Sequence, residues 1–159
     1  MGYGLWSMAP SPIERSPMRD STMPDKRIAL IIGSFHRDAG EIMAAAARAA
    51  AAAHGMLILA EVWVPGSYEK PLALKKLLRR ADIDGVAVLG IIERGETAHG
   101  HVMGQTVSDA IVQLQLEFMK PVGIGILGPD ILPSQIPSRL EPYAAAAVDA
   151  IDVMLTSAA

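Results

Sequence analysis

The sequence predicts an α/β fold, a three-layer α/β/α sandwich around a four-stranded parallel sheet. Short, buried-looking apolar runs alternate with helix-length segments from Arg27 to the end of the chain. Segments in that order join through right-handed crossovers, giving a parallel sheet covered on both faces. Each apolar run ends in Gly or Pro beside polar residues, at Ser34-Phe35-His36, Pro65 to Glu69, Ile91 to His99 and Gly128-Pro129-Asp130. Ligands of open parallel sheets bind at such carboxyl ends, so the four turns define one candidate rim.

The elements follow in order. Ile28 to Ile32 is the first strand. A helix capped by Asp38 runs to about His54, where Gly55 stops it. Its alanine run, 44–53, broken only by Arg48, suits close helix packing. Met56 to Val64 is the second strand, closed by Pro65-Gly66. Tyr68 to Arg80 reads as a helix with Pro71 near its first turn, where a missing N–H costs little. Leu72, Leu77 and Leu78 are assigned to its buried side, and Lys75, Lys76, Arg79 and Arg80 to water. Gly85 to Ile92 is the third strand. Ala98 to Met119 is a long helix whose Val107, Ile111, Leu114 and Phe118 recur at helical spacing. Pro121 to Leu127 is the fourth strand. A Pro-rich loop then leads to a helix from about Tyr143 to Leu155, with Val148, Ile151 and Leu155 on one face. Residues 1–25, rich in Pro, Ser and Met, read as a flexible amino-terminal arm preceding a domain at 26–159.

Composition narrows the function classes. The chain has 159 residues, enough for one domain with a full core. It is 51% hydrophobic with few aromatics, a balance that often means surface hidden against copies of the same chain. With a net charge of −3, no basic stripe and no aromatic platform, nucleic acid is not an expected partner. The absence of cysteine excludes disulfides, thiolate zinc sites and cysteine nucleophiles. No apolar run reaches the roughly 18 residues that span a bilayer. Prolines and charges interrupt the amino terminus as a signal peptide. The expectation is a soluble cytoplasmic protein with no membrane partner.

The densest chemistry lies at Gly90 to His99. A strand runs into a glycine turn, then Thr97 and His99 open a helix. Amide groups at a helix amino terminus favour an anion such as phosphate. A histidine beside that seat can carry protons near neutral pH, although it also fits a plain surface position. His99 and His101 lack a third imidazole nearby, so no metal is expected. No P-loop occurs. Gly123 to Gly128 has the letters of a dinucleotide fingerprint, but it lies in and just after a strand and leads to no helix. Arg139 is the one fixed positive charge in residues 121–159, beside Asp130, Glu141, Asp149 and Asp152.

Taken in order, several motifs resemble one family. They are Gly33-Ser34-Phe35, Val64-Pro65-Gly66-Ser67-Tyr68-Glu69-Lys70-Pro71, Gly95-Glu96-Thr97-Ala98-His99, Lys120-Pro121-Val122 and Gln135-Ile136-Pro137-Ser138-Arg139. This pattern, over residues 27 to about 155, is similar to 6,7-dimethyl-8-ribityllumazine synthases. Glu96 and the short carboxyl-terminal region look more like archaeal-type members. The resemblance implies a flavodoxin-like fold and a step of riboflavin biosynthesis. In it, 5-amino-6-(D-ribitylamino)uracil and 3,4-dihydroxy-2-butanone 4-phosphate condense, releasing phosphate and water, without a cofactor or metal. It also implies pentamers, or multiples of them, with active sites between adjacent subunits.

By the same resemblance, Phe35 stacks on the pyrimidine and Ser67, Tyr68 and Glu69 hold that substrate, Glu69 through ribityl hydroxyls. Ile91, Ile92 and Glu93 line the pyrimidine pocket, and Ile124 falls where a Phe often covers the ring. Glu96 and Thr97 face the phosphate, Arg139 reaches it from a neighbouring subunit, and His99 shuttles protons. The chain departs from the common pattern at His36, which replaces Asn, at the charged pair Glu93-Arg94, and in lacking lysines after Arg139. Two other readings stay open: a paralogue with altered or lost activity, serving as a shell or flavin-binding scaffold, and an archaeal-type riboflavin synthase.

Overall fold

Strand and helix alternate throughout residues 26–157, the part of the chain that the computed structural model describes. The arm read over residues 1–25 lies outside it. The elements are β1 (Arg27–Gly33), α1 (Arg37–Ala53), β2 (Leu57–Val64), α2 (Lys70–Leu78), β3 (Gly85–Glu93), α3 (His99–Phe118), β4 (Val122–Ile131) and α4 (Leu140–Thr156). The four strands pair in parallel, in the order β2-β1-β3-β4. No helix among the described residues is long and apolar enough to cross a membrane.

The sheet is covered on both faces, which explains why β1 is apolar at every central position. Ile28, Leu30 and Ile32 pack in a core with Met43, Ala44 and Ala47 of α1 and Ala144, Val148 and Ile151 of α4. Ala29 and Ile31 point the other way, into a core with Leu74, Leu77 and Leu78 of α2 and Val107 and Ile111 of α3. Successive strand residues alternate faces, so a doubly covered strand has no polar side. Each fully buried Ile or Leu contributes about 1.5–3 kcal/mol relative to exposure.

The Gly123-x-Gly125 spacing has a packing cause. A Cβ at Gly123 would lie 1.9 Å from the Ala147 carbonyl oxygen, and one at Gly125 would lie 3.1 Å from the Tyr143 carbonyl oxygen, both on α4. The glycines let α4 approach β4 closely, and the fingerprint letters mark helix–strand contact.

Several boundaries differ from those expected. His36, not Asp38, precedes α1 as its N-cap, and Asp38 lies in the first turn, where its charge complements the helix dipole without capping it. The α2 helix starts at Lys70, and its buried residues are Lys70, Leu74, Leu77 and Leu78. Leu72 is exposed, because it lies off the i, i+4, i+7 stripe set by Lys70. β4 continues past Leu127 to Ile131. The Pro-rich segment forms two 3₁₀ turns, Pro133–Gln135 and Pro137–Arg139, that feed directly into α4 at Leu140. Pro142 falls in the first turn of α4, where no N–H is required of it.

Candidate active site

The strand order changes direction between β1 and β3, since β2 flanks β1 on one side and β3 on the other. Beside this switch point the loops diverge and leave a crevice. A cavity of about 440 Å³ opens there. Its walls come from the carboxyl ends of β1 (Gly33, Phe35, His36), β2 (Gly66 to Lys70) and β3 (Gly90 to Glu93), with Thr97 and His99 at the start of α3.

Of the residues read from the sequence, Phe35, Ser67, Tyr68, Glu69, Ile91, Ile92, Glu93, Thr97 and His99 line this one cavity. Glu96, Ile124 and Arg139 do not. Glu96 is exposed on the turn before α3. Ile124 pairs with Val88 on the edge strand β4, four residues before the level of Ile92, and is partly exposed. Arg139 ends the second 3₁₀ turn, where its Nη1 donates to the Gln135 carbonyl (2.8 Å) and reaches Ser138 Oγ (3.5 Å). The fourth turn, Gly128-Pro129-Asp130, belongs to β4 and also stays outside the cavity, so three strand ends form the rim.

The side chains inside are arranged for different tasks. Phe35 is 78% exposed at the mouth and meets His36 edge-on at 4.9 Å between ring centroids. An apolar ring held in water costs free energy unless a flat partner covers it. His36 Nε2 lies 3.6 Å from Glu93 Oε1 at the end of β3. Glu69 Oε2 accepts the Gly66 N–H at 2.8 Å, bracing the turn.

The amino terminus of α3 supports the anion reading. Ala98 is the N-cap and no side chain caps the helix. The His99 N–H makes a long 3.4 Å bond to Thr97 Oγ1. Uncapped first-turn amides with a hydroxyl beside them form an anion seat. His99 itself stands 5.9 Å from Tyr68, ring centroid to centroid and edge-on, so the imidazole is oriented toward the β2 turn. The β3 end and α3 start approach closely because Gly100 has no side chain; a Cβ there would come 3.1 Å from the Glu93 carbonyl oxygen.

Sequence reasoning missed Lys70. Its side chain is only 1% exposed, yet it lines the cavity. Nζ donates to Ser67 Oγ at 3.2 Å and to the Gly66 carbonyl at 3.3 Å. Burial pushes its pKa down to about 8, opposed by the nearby charge of Glu69. The signal was present in the helical period: Lys70 shares its stripe with Leu74, Leu77 and Leu78.

Comparison with known proteins adds the lineage. Residues 25–158 match the family model described as 6,7-dimethyl-8-ribityllumazine synthase. The chain is 41% identical over 127 residues to the 6,7-dimethyl-8-ribityllumazine synthase of Halobacterium salinarum, covering 80% of this chain and 96% of that one. It is 36% identical over 129 residues to the protein of the same name from Staphylothermus marinus, covering 81% and 86%. With that of Methanococcus maripaludis the identity is 37% over 124 residues, covering 78% and 90%.

Proposed function

This chain belongs to the 6,7-dimethyl-8-ribityllumazine synthase family, and on that footing we propose how its cavity carries out the family's condensation. The enzyme is a transferase of riboflavin biosynthesis that joins 5-amino-6-(D-ribitylamino)uracil to 3,4-dihydroxy-2-butanone 4-phosphate, releasing phosphate and water. The relatives reported above are named as lumazine synthases, which favours this reaction over that of a riboflavin synthase or a non-catalytic scaffold.

The carrying observation is that one cavity joins an exposed aromatic ring, a polar turn, a strand end and an imidazole at an uncapped helix terminus. Phe35 stacks on the pyrimidine. Ser67, Tyr68 and Glu69 bind its polar groups and ribityl hydroxyls, and the Ile91 to Glu93 backbone lines the ring. The phosphate lies at the Glu96-Thr97 turn and the first amides of α3. His99 takes and returns the protons that imine formation and elimination require, a task suited to imidazole near neutral pH. Much of the remaining acceleration comes from holding two small molecules together.

Arg139 and Ile124 act from adjacent copies of the chain, in a homo-oligomer built on pentamers. Two features support this: both residues lie outside their own cavity, and large apolar side chains such as Leu72, Leu116, Met119 and Met154 stand exposed. The enzyme is read as cytoplasmic.

The test mixes purified protein with both substrates and follows the lumazine chromophore. His99→Ala should lower kcat by about 10²–10⁴-fold, the usual contribution of a general acid–base group. Arg139→Ala should mainly raise KM for the sugar phosphate. Product formation no faster than the uncatalysed condensation would refute the assignment. Light scattering measures the assembly.

A further inference from the structure

We propose that Lys70 is a further substrate-binding residue, whose ammonium donates a charged hydrogen bond to a ring carbonyl oxygen of the pyrimidine. The inference rests on reading the cavity as the pyrimidine site.

The fold makes a specific place for this group. Gly33 and Gly90 are neighbours on β1 and β3, and their missing side chains would point to the face covered by α2. A Cβ on Gly33 would lie 2.9 Å from Lys70 Nζ, and one on Gly90 would lie 2.8 Å from it. The two glycines therefore leave the room that the ammonium fills.

What surrounds the ammonium leaves it incomplete. An ammonium has three donors. The acceptors within reach among the described residues are Ser67 Oγ and the Gly66 carbonyl, both neutral and both beyond 3.1 Å. No carboxylate lies within ion-pair distance of it there. A buried cation without an ion-pair contact is costly, and the nearby Glu69 charge offsets only part of that cost. Because Lys70 lines the cavity, an electron-rich oxygen of the ligand completes the shell.

Position selects the pyrimidine over the phosphate. The walls of the ammonium are Gly33, Gly66, Ser67 and Gly90, which adjoin Phe35, Tyr68 and Ile91, the residues assigned to the ring. The phosphate already has the α3 amides and Arg139. In the pyrimidine, one carbonyl is conjugated through the ring double bond to the 6-amino nitrogen, which makes its oxygen unusually electron-rich. That oxygen is the acceptor expected at Lys70.

The experiment uses the 5-nitro analogue of the pyrimidine, which lacks the nucleophilic amine, and measures its binding by calorimetry at pH 7. Lys70→Met should bind it about 10- to 100-fold more weakly, as expected for loss of a hydrogen bond to a charged group. Gly90→Ala, which keeps the charge but displaces Nζ, should also weaken it. Binding of inorganic phosphate should change less than about twofold in either variant. If the wild type neither binds the analogue nor forms lumazine, the reading of the cavity fails first. If the wild type does both and the variants bind the analogue normally, the Lys70 assignment alone is overturned. Loss of phosphate affinity in its place, or borohydride trapping of the ketone phosphate on Lys70, would also overturn it.

Discussion

Replacing Lys70 by Met should make the ligand-free protein more stable at pH 7, and the gain should vanish as pH rises. Met keeps an unbranched stem of similar length and removes the charge. The ammonium pKa falls from 10.5 to about 8 on burial, which corresponds to about 3 kcal/mol of folding free energy lost at pH 7. Against this, the variant leaves Ser67 Oγ and the Gly66 carbonyl without their donor, at about 1 kcal/mol. The net gain at pH 7 is therefore about 2 kcal/mol. The sign of the pH dependence follows from proton counting. Between about 8 and 10.5 the unfolded chain binds more protons at Lys70 than the folded one, so wild-type stability rises with pH there. By pH 10 only about 1 kcal/mol of the penalty remains, and the two proteins should be nearly equal. Urea unfolding of both at one protomer concentration, at pH 7 and pH 10, measures the gap, and other titrating groups cancel in the comparison. A Lys70→Met protein less stable than wild type at pH 7, or a gap unchanged at pH 10, would refute the view of Lys70 as a costly buried cation.

Two further outcomes are expected. Phe35→Ala should shift the urea midpoint little, because the ring is mostly in water, yet should weaken calorimetric binding of the pyrimidine analogue about tenfold, as for a lost stacking partner. Unchanged affinity would remove Phe35 from the ring site. Gly123→Ala should destabilise the fold by about 2–3 kcal/mol or more, since the new methyl would overlap the Ala147 carbonyl and push α4 from the sheet. A thermal midpoint equal to that of the wild type would show that the approach is looser than described.

The fold was legible because a parallel sheet covered on both faces writes itself into local sequence. β1 reads as apolar throughout because Leu30 and Ile31 bury into opposite cores. Element ends were less legible. The α2 boundary and its buried stripe depended on Lys70, which shares the helical period of Leu74, Leu77 and Leu78 but whose charge argues against burial. The start of α4 was hidden by Pro137 and Pro142, which read as loop until the 3₁₀ turns are seen to join the helix. Within the site, Phe35, Ser67-Tyr68-Glu69 and Thr97-x-His99 were readable because strand ends and a helix start concentrate ligand chemistry in short stretches. Glu96 lay within the Ile91 to His99 turn and Arg139 stood out as the one fixed positive charge of residues 121–159, whereas Ile124 was readable only through resemblance; the folded chain leaves all three outside its own cavity.

By itself, the sequence determined the layer order, the two cores and which turns would carry polar groups, because burial and helix or strand period act over a few neighbouring residues. It also carried the family likeness, in motifs at the strand ends. Tertiary structure alone decided which turns meet. The exchange of neighbours between β1 and β3 joins three strand ends into one cavity and leaves the fourth out. It alone set Gly33 beside Gly90 and drew the Lys70 ammonium between them. Glycine, glycine and lysine are far apart in the chain, and only their convergence turns an ordinary helix-start lysine into a buried charge in the cavity wall.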